Sequence, residues 1–325
     1  MNQSTARLAH SITWASSKQS YLTARLLADP GLVDDCLRAY AYFRWADDMI
    51  DISLSGAAAR TAFIERQKAL IDSLYQGERP AGLCPEEAML ADLIAHNCTP
   101  ASGLHSFIYN FIAVIEFDAH RQGRLASRAE LDAYTTCLAT AVMDGLQYFI
   151  GNGHVYPHTY NRNLAVIGAH ITHMLRDMLE DLPAGLVNIP AEVLEAQGIT
   201  MDEIDSNEKL RAWVHEQVDL ARACFREGKT YIDSLDNLRC KLAGVWYCAR
   251  FECVLDLIEQ DGFQLRADYP ERHCLKVWLK MVRLGLEVTL SHFAGRLKAF
   301  IFHSISPDND LVRVLAPFRT KQTIR

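Results

Sequence analysis

The sequence predicts an all-α protein, because its apolar residues recur at helical spacing through most of the chain. Hydrophobic residues make up 50% of the 325 residues and charged residues 22%, which suits a large folded core. There is no convincing run of alternating strand residues, no glycine-rich phosphate loop and no tandem repeat of fixed period. We therefore expect residues 1–325 to form a single-domain helical bundle around a central cavity.

Helical periodicity and the positions of glycine and proline divide the chain into segments. Turn residues at 29–31 end the first helix, and later glycines and prolines separate the helices that follow. The predicted helices are 6–27, 32–54, 57–75, 85–97, 102–121, 127–150, 160–182, 191–197, 208–235, 237–260 and 271–300. The segment 183–190 contains two prolines and one glycine, which predicts a loop and a candidate lid.

The segment 39–51 is aromatic and apolar, yet it contains three carboxylates and a guanidinium. On a helix, Asp47 and Asp51 stand one turn apart with Asp48 beside them, and Arg44 lies one turn earlier. Acids crowded on an apolar helix repel one another unless a cation lies among them. The segment therefore indicates a cation site.

A second segment repeats this pattern later in the chain. Asp177 and Asp181 again stand four residues apart with Glu180 beside them, and Arg176 directly precedes the first aspartate. Two such faces opposed across a helical bundle would form a box for Mg²⁺, which takes oxygen ligands and commonly shares them with phosphate oxygens. The pair of segments predicts a metal-assisted phosphate or diphosphate site.

Whole-chain features exclude several other classes of protein. A net charge of -7 gives no electrostatic footprint for binding nucleic acid. Nine cysteines with no C-x-x-C pair suit free thiols in a reducing compartment, which predicts a cytoplasmic location. The N-terminus lacks the pattern of a secretory signal, and the longest strongly apolar stretch, 107–117, is too short to span a bilayer. We therefore expect no transmembrane segment.

With these motifs in this order, the sequence resembles the squalene/phytoene synthase family, whose all-helical members join two prenyl diphosphates head to head. Residues 44–51, R-x-x-D-D-x-x-D, are similar to the first acidic motif of that family. Residues 175–181, Leu-Arg-Asp-Met-Leu-Glu-Asp, are similar to its second acidic motif. The pairs Ser20-Tyr21 and 117–118, Phe-Asp, resemble two further family positions.

The resemblance implies the isoprenoid synthase type I fold and an enzyme that ionises an allylic prenyl diphosphate with two or three Mg²⁺ ions. The residues that it implies for metal binding are Asp47, Asp48, Asp51, Asp177, Glu180 and Asp181. The residues that it implies for catalysis are Asp47, Asp51, Asp177, Asp181, Arg44 and Arg176. The expected substrate contacts are Ser20, Tyr21, Tyr40, Phe43, Asp118, Tyr134, Thr136, Thr140, His170 and His173.

Several positions depart from the family pattern. His170 and His173 stand where the family has a glutamine and an asparagine, and histidine titrates near neutral pH. Thr136 and Thr140 stand where it has a tyrosine and a glycine. Tyr134 is two residues from Thr136, so the two cannot share a helix face. These changes concentrate where a second prenyl diphosphate would react, and they largely spare the ionisation site.

The preferred interpretation is a Mg²⁺-dependent prenyltransferase that delivers its allylic cation to an acceptor small molecule, for instance an electron-rich aromatic ring. His170, His173 or Thr136 could then contact the acceptor or take its proton. Head-to-head condensation of two prenyl diphosphates, a class I terpene cyclase and a non-catalytic relative are the alternatives. The intact pair of acidic motifs argues against the last of these.

The less certain site residues also have purely structural explanations. Each histidine could be a hydrogen-bonded residue of the core. Thr136 could donate to a carbonyl oxygen of its own helix, which is common for threonine. Tyr40 and Phe43 could be packing residues, since most aromatic residues on helices are.

The last predicted helix is amphipathic. Its apolar residues form one stripe: Leu275, Trp278, Leu279, Val282, Leu286, Leu290, Phe293, Leu297 and Phe300. Basic residues lie off the stripe at Lys276, Lys280, Arg283 and Lys298. The pattern favours packing of the stripe onto the bundle, and peripheral association with a membrane surface is the alternative.

Overall fold

The computed structural model describes residues 2–97, 99, 102–204, 208–273 and 275–305. These residues form helices joined by turns and contain no strand, so the all-α prediction is confirmed. The helices are α1 (Asn2–Ser16), α2 (Lys18–Leu27), α3 (Val33–Asp48), α4 (Ala57–Tyr75), α5 (Pro85–His96), α6 (Gly103–Arg121), α7 (Arg128–Phe149), α8 (Leu164–Asp181), α9 (Ala191–Gln197), α10 (Lys209–Ser234), α11 (Leu238–Gln260) and α12 (Leu275–Ile305). Residues 306–325 of the predicted domain lie outside the described residues.

Short polar side chains fix the starts of two helices that carry much of the cavity wall. The Ser127 hydroxyl accepts a hydrogen bond from the Glu130 N–H, and the Glu130 carboxylate accepts one from the Ser127 N–H, which begins α7. Ser102 begins α6 by accepting a hydrogen bond from the His105 N–H. Each cap contributes about 1 kcal/mol to helix stability. The caps therefore help to set which side chains of α6 and α7 face inward.

Two large groups of buried apolar side chains hold the bundle together. One group joins α3 to α6 and includes Tyr42 and Leu104, and the other joins α8 to α11 and includes Phe225 and Leu255. A cavity of about 820 Å³ lies among the helices and is lined mainly by α3, α6, α7, α8 and α11. The expected central cavity is therefore present.

α8, which carries the second acidic motif, packs closely against α10 at two glycines. A Cβ on Gly228 of α10 would lie 2.4 Å from the backbone nitrogen of Ala165. A Cβ on Gly168 of α8 would lie 2.9 Å from the carbonyl oxygen of Ala221. Since any larger residue would clash with backbone, glycine at these positions determines how closely α8 approaches α10.

The first acidic helix ends differently from the prediction. α3 stops at Asp48, and Met49–Ser53 form a π-helical turn in which the Leu54 N–H donates to the Met49 carbonyl oxygen at 2.9 Å. Such a turn holds one more residue than an α-helical turn and often occurs at functional sites. Asp51 therefore does not stand where a continuous α-helix would put it relative to Asp47.

The segment after α8 is packed against the bundle, which differs from the expected lid. The side chains of residues 187–190 are buried. The Gly123 N–H donates to the Gly185 carbonyl oxygen at 2.9 Å, and the Gln122 side chain donates to the Ala184 carbonyl oxygen at 3.1 Å. These hydrogen bonds fasten the segment to the end of α6.

A polar cluster closes the end of the bundle that is opposite to the acidic motifs. The Asp29 carboxylate accepts hydrogen bonds from the N–H groups of Gly151 at 3.0 Å and Asn152 at 2.8 Å, and it forms an ion pair with Arg239. Arg239 also donates to the Leu27 carbonyl oxygen at 3.0 Å. These contacts fix the ends of α2 and α7 and the start of α11.

α12 packs against α11 through a face that the sequence pattern does not single out. The Trp246 indole N–H of α11 donates to the Met281 carbonyl oxygen of α12 at 2.9 Å. The predicted stripe instead faces away from the bundle, with its described side chains 40–71% exposed. The prediction that the stripe packs onto the bundle is therefore wrong. The predicted residues whose side chains lie outside the description are Lys276, Lys298 and Phe300.

None of the described helices combines the length and the apolar character that crossing a membrane requires.

The close approach of α8 and α10 gives a stability prediction. Gly228→Ala forces a methyl group against the Ala165 backbone, and we expect the free energy of unfolding to fall by about 2–3 kcal/mol. In the control Gly295→Ala, the added Cβ on α12 meets nothing within 4 Å. That variant should be unchanged or about 0.5 kcal/mol more stable. Urea denaturation, monitored by circular dichroism, measures the free energy of unfolding of each variant. Equal stability of the two variants would contradict the close packing.

Candidate active site

The C-terminal ends of α3, α6 and α8 bring both acidic motifs to one end of the cavity. Asp47 and Asp51 reach it from the first motif, Asp177 and Asp181 from the second, and Asp118 from α6. The predicted site residues in the cavity wall are Ser20, Tyr40, Phe43, Arg44, Asp47, Asp51, Asp118, Tyr134, His170, His173, Asp177, Glu180 and Asp181. The structure therefore brings the two acidic faces together.

In the first motif, the Arg44 guanidinium interacts with two carboxylates, those of Asp47 and Asp48. Arg44 forms an ion pair with Asp48, and its Nη1 lies 3.4 Å from Asp47 Oδ2. Burial and the neighbouring Asp51 raise the pKa of Asp47 to about 7, although Arg44 acts in the opposite direction. Burial and the charge of Asp118 also raise the pKa of Asp51. This face of α3 therefore has too little positive charge for its carboxylates.

In the second motif, one aspartate is well paired and the other is not. Both Asp177 oxygens accept hydrogen bonds from Arg176, and His173 Nε2 lies 2.7 Å from Asp177 Oδ2. Burial would raise the pKa of Asp177, but the hydrogen bonds from Arg176 and His173 outweigh it and hold that pKa below its usual range. Burial and the charge of Asp177 raise the pKa of Asp181 to about 7.

Arg121, at the end of α6, links Asp118 to the second motif and was missed by the sequence interpretation. Its Nε donates to Asp118 at 2.7 Å, and its Nη1 donates to the side-chain oxygen of Asn188 at 2.7 Å. Asn188 in turn donates to Asp181 at 3.4 Å. Arg121 is 5% exposed, so these are buried contacts. The sequence signal that could have identified Arg121 is a basic residue three positions after Asp118, on a largely apolar helix.

Of the two predicted α7 residues Tyr134 and Thr136, only Tyr134 faces the cavity. The Tyr134 hydroxyl donates to Asp118 at 3.1 Å, and its ring centroid lies 5.4 Å from the guanidinium carbon of Arg121. Thr136 is exposed and donates to the Asp132 carbonyl oxygen of its own helix at 2.8 Å. The threonine at position 136, where the family has a tyrosine, therefore does not alter the cavity wall, because Tyr134 supplies the tyrosine there.

The predicted residues outside the cavity wall, besides Thr136, are Tyr21, Asp48, Thr140 and Arg176. The Tyr21 ring packs edge-on against Trp14, with 5.1 Å between ring centroids. The Thr140 hydroxyl accepts a hydrogen bond from the Asn163 side chain at 3.5 Å. Asp48 forms an ion pair with Arg44, and Arg176 forms one with Asp177; Arg44 and Asp177 do line the cavity. Each is therefore turned away from the cavity by a contact of its own.

The two histidines before the second motif both line the cavity but differ in environment. His173 is exposed and bound to Asp177, whereas His170 is buried beside the Tyr134 ring, with 5.2 Å between ring centroids. Burial, followed by the electrostatic effects of His173 and Arg121, lowers the pKa of His170 to about 3. Within the described part of the chain, His170 Nε2 has no hydrogen-bond partner. It is therefore a neutral, unpaired nitrogen in the cavity wall.

Apolar side chains form the cavity wall away from the carboxylates. The wall follows α7 from Tyr134 to Phe149, a distance of about 22 Å at the helical rise of about 1.5 Å per residue. Phe107 lies across Gly145, where a Cβ would come within 2.5 Å of the ring. The cavity is therefore long, with charge at one end and aromatic and aliphatic side chains along the rest.

The donor set at the charged end fits Mg²⁺ bound together with a phosphate-containing ligand. Among the described residues, no three carboxylate, imidazole or thiol groups are grouped closely enough to hold a metal ion by themselves. Mg²⁺ is often held by only one or two carboxylates, with phosphate oxygens and water completing its shell. The raised pKa values of Asp47 and Asp181 mark carboxylates that lack compensating positive charge.

Comparison with known proteins gives the family. The family model described as squalene/phytoene synthase matches residues 14–278 of this chain. The chain belongs to the squalene/phytoene synthase family. The resemblance seen in the acidic motifs and the prediction of a prenyltransferase are therefore confirmed.

Individual members of the squalene/phytoene synthase family are similar to much of this chain. A 15-cis-phytoene synthase from a Paracoccus species is 24% identical over 276 residues, covering 82% of this chain and 85% of its own. A presqualene diphosphate synthase from Zymomonas mobilis is 27% identical over 202 residues, covering 59% of this chain and 62% of that protein. The crystal structure of squalene synthase HpnC from Alicyclobacillus acidocaldarius has a TM-score of 0.63 at 18% identity, covering 81% and 95%. That likeness confirms the isoprenoid synthase fold.

The crowded carboxylates give a prediction for stability against pH. In the folded protein the pKa values of Asp47 and Asp181 are raised from the usual 3.8 to about 7, so folding becomes less favourable as the pH rises from about 4 to about 7. We expect Asp47→Asn and Asp181→Asn each to melt about 1–3 °C higher than wild type near pH 8 without divalent metal. The difference should shrink as the pH is lowered towards 5. Differential scanning calorimetry measures it.

The matched control for this prediction is Asp48→Asn. It removes an acid from the same helix but also breaks the Arg44 ion pair, so no gain is expected. If Asp47→Asn and Asp181→Asn melted at or below the wild-type temperature near pH 8, charge crowding at this end of the cavity would be disproved.

Proposed function

We propose that this protein is a Mg²⁺-dependent enzyme that ionises one allylic prenyl diphosphate and couples the cation to a second prenyl diphosphate, head to head. The observation that carries the proposal is the meeting of two acidic motifs at one end of a long apolar cavity. A substrate with a charged head and a long apolar tail matches that distribution of charge.

In the proposed first step, the bond between the allylic carbon and the diphosphate oxygen breaks, and its electron pair leaves with the diphosphate. Bound Mg²⁺ would supply positive charge to the departing oxygens. Asp47 and Asp51 would hold the metal from one side, and Asp177, Asp181 and Glu180 would hold it from the other. The raised pKa of Asp47 and of Asp181 supports this role, because each carboxylate gains most from a nearby cation.

The arginines would act by orienting carboxylates in this proposal. Arg44 lies between Asp47 and Asp48, and Arg176 holds both oxygens of Asp177. Asp48 would therefore position Arg44 and would not bind metal directly. Arg44 also lines the cavity, where its guanidinium could contact a diphosphate oxygen.

Aromatic rings next to the carboxylates would protect the cation. Phe43, Phe107, Phe111 and Tyr134 line the adjoining wall. Aromatic faces attract cations, and a closed apolar wall excludes the water that would otherwise capture the cation. The double bond of the second substrate would then attack the cation, forming a carbon–carbon bond and moving the positive charge to a carbon of the second chain. Loss of a proton from that chain to the released diphosphate would leave an uncharged carbon skeleton.

Two features support a second prenyl chain as the acceptor. Thr136, one of the three substitutions that favoured an aromatic acceptor, lies outside the cavity wall, and Tyr134 occupies that wall. The cavity volume of about 820 Å³ also lies in the upper part of the roughly 300–1,000 Å³ range of small-molecule sites. Such a volume leaves room for two long chains beside each other.

An aromatic acceptor is the second candidate, and the unpaired His170 Nε2 favours it. A neutral imidazole nitrogen buried beside Tyr134 could accept a hydrogen bond or a proton from a phenol or an indole. A terpene cyclase would use the same ionising end without any acceptor. A non-catalytic relative would gain nothing from carboxylates that destabilise its folded state.

Product analysis distinguishes these functions. Purified protein is incubated with Mg²⁺ and geranyl, farnesyl or geranylgeranyl diphosphate, alone and with a pool of phenols and indoles, and diphosphate release and product mass are measured. We expect release without the pool and a product that contains two prenyl chains. Release of a cyclic product with one chain would favour a cyclase. Release only with the pool would favour an aromatic acceptor.

The same assay tests the two acidic motifs. Asp47→Ala and Asp177→Ala should each lower the rate of diphosphate release by about 10³-fold or more, because the charge that neutralises the leaving group is lost. Asp34→Ala is the control, since Asp34 is an exposed acid of α3 bound to His10 outside the cavity. Full activity in both motif variants would rule out the proposed mechanism.

A further inference from the structure

Eight large apolar side chains of α12 are exposed along one side of the helix. They are Leu275, Trp278, Leu279, Val282, Leu286, Leu290, Phe293 and Leu297, and we call them the α12 stripe. Apart from Trp278, successive members are three or four residues apart, which matches the 3.6 residues of one helical turn. The stripe therefore follows one straight face of α12 for about 33 Å.

The opposite face of α12 is held firmly by α11. The Trp246 indole N–H donates to the Met281 carbonyl oxygen at 2.9 Å. A Cβ on Gly285 would lie 3.0 Å from the Trp246 ring, so the absence of a side chain there lets the ring rest against the helix. α12 is therefore anchored by one face and presents the α12 stripe outward with the other.

The charge of α12 contrasts with the charge of the whole chain. Its sequence contains five basic residues and one acidic residue: Lys276, Lys280, Arg283, Arg296, Lys298 and Glu287. The complete chain has a net charge of -7. A basic helix on an acidic protein favours an anionic partner for this face. A second copy of α12 would bring like charges together and is disfavoured.

We propose that α12 lies flat on an anionic lipid bilayer, with the α12 stripe inserted at the boundary between headgroups and acyl chains. Helices that bind in this way combine an apolar face with flanking lysine or arginine residues. Because the stripe is straight, all of its length can meet a flat surface at once.

The attachment would bring the bilayer close to the cavity. Trp246 contacts α12 and also lines the cavity wall, together with Ala243 and Tyr247 of α11. Only the α11–α12 pair therefore separates the α12 stripe from the cavity. An apolar ligand leaving the bilayer has a short path to that wall. The inference does not rest on the proposed chemistry, because lipid binding is measured without turnover.

Vesicle flotation tests the proposal with the full chain. Wild type should float with vesicles of phosphatidylcholine mixed with phosphatidylglycerol, and about tenfold less with phosphatidylcholine alone. Leu286→Glu/Leu290→Glu should remain in the aqueous fraction. Arg283→Gln/Arg296→Gln should bind the mixed vesicles about tenfold more weakly, since each basic residue near an anionic surface adds to the affinity.

A matched control carries the same charge change on other exposed apolar residues. Val155→Glu/Leu220→Glu alters a loop and α10, and it should float as wild type does. Circular dichroism checks that each variant is folded. If Leu286→Glu/Leu290→Glu is unfolded, the vesicle binding of Arg283→Gln/Arg296→Gln tests the proposal instead.

Three results would overturn the proposal. The first is a wild type that floats with neither vesicle, and the second is a stripe variant that floats as wild type does. The third is a wild-type dimer in analytical ultracentrifugation that the stripe substitutions convert to monomer without any lipid binding, because a second copy would then cover the α12 stripe.

Discussion

Repulsion among carboxylates at the meeting ends of α3, α6 and α8 is the constraint on which the rest of the structure depends. The pKa values of Asp47 and Asp181 are raised to about 7, so the fold holds these groups together at a cost in stability. Arg121 supports the arrangement by binding Asp118 and, through Asn188, the second motif. The close packing of α8 on α10 and the polar cluster at the other end keep the helices from spreading apart.

The sequence predicted the fold and the two opposed acidic motifs because both depend largely on local spacing. Helical periodicity determines which residues share a face, and in α8 it places Asp177 and Asp181 one turn apart. The π turn was not predictable in this way, because it depends on how one turn of α3 packs. Arg121 was missed because its partner Asn188 lies 67 residues away, and only the folded chain brings the two together.

Two further predictions, for Thr136 and for α12, depended on the direction in which individual side chains point. The sequence interpretation put Thr136 in the site, but helical geometry lets either Tyr134 or Thr136 face the cavity and not both. For α12, periodicity correctly identified an apolar stripe but could not say which face meets the bundle. The face packed on the bundle includes Met281 and Gly285, so α12 has apolar or small side chains on two of its faces. Only the contact with Trp246 shows which of these faces points towards the bundle.

The central claim is that the acidic end binds Mg²⁺ together with a diphosphate, and proton release on binding tests it most directly. Mg²⁺ is titrated into protein holding a non-ionising prenyl diphosphate analogue, near pH 7, in buffers of different ionisation enthalpy. Because Asp47 and Asp181 hold protons near this pH, binding should release about one proton per protein. Asp47→Asn/Asp181→Asn should release fewer. Mg²⁺ binding without proton release, or release unchanged in that variant, would contradict the account.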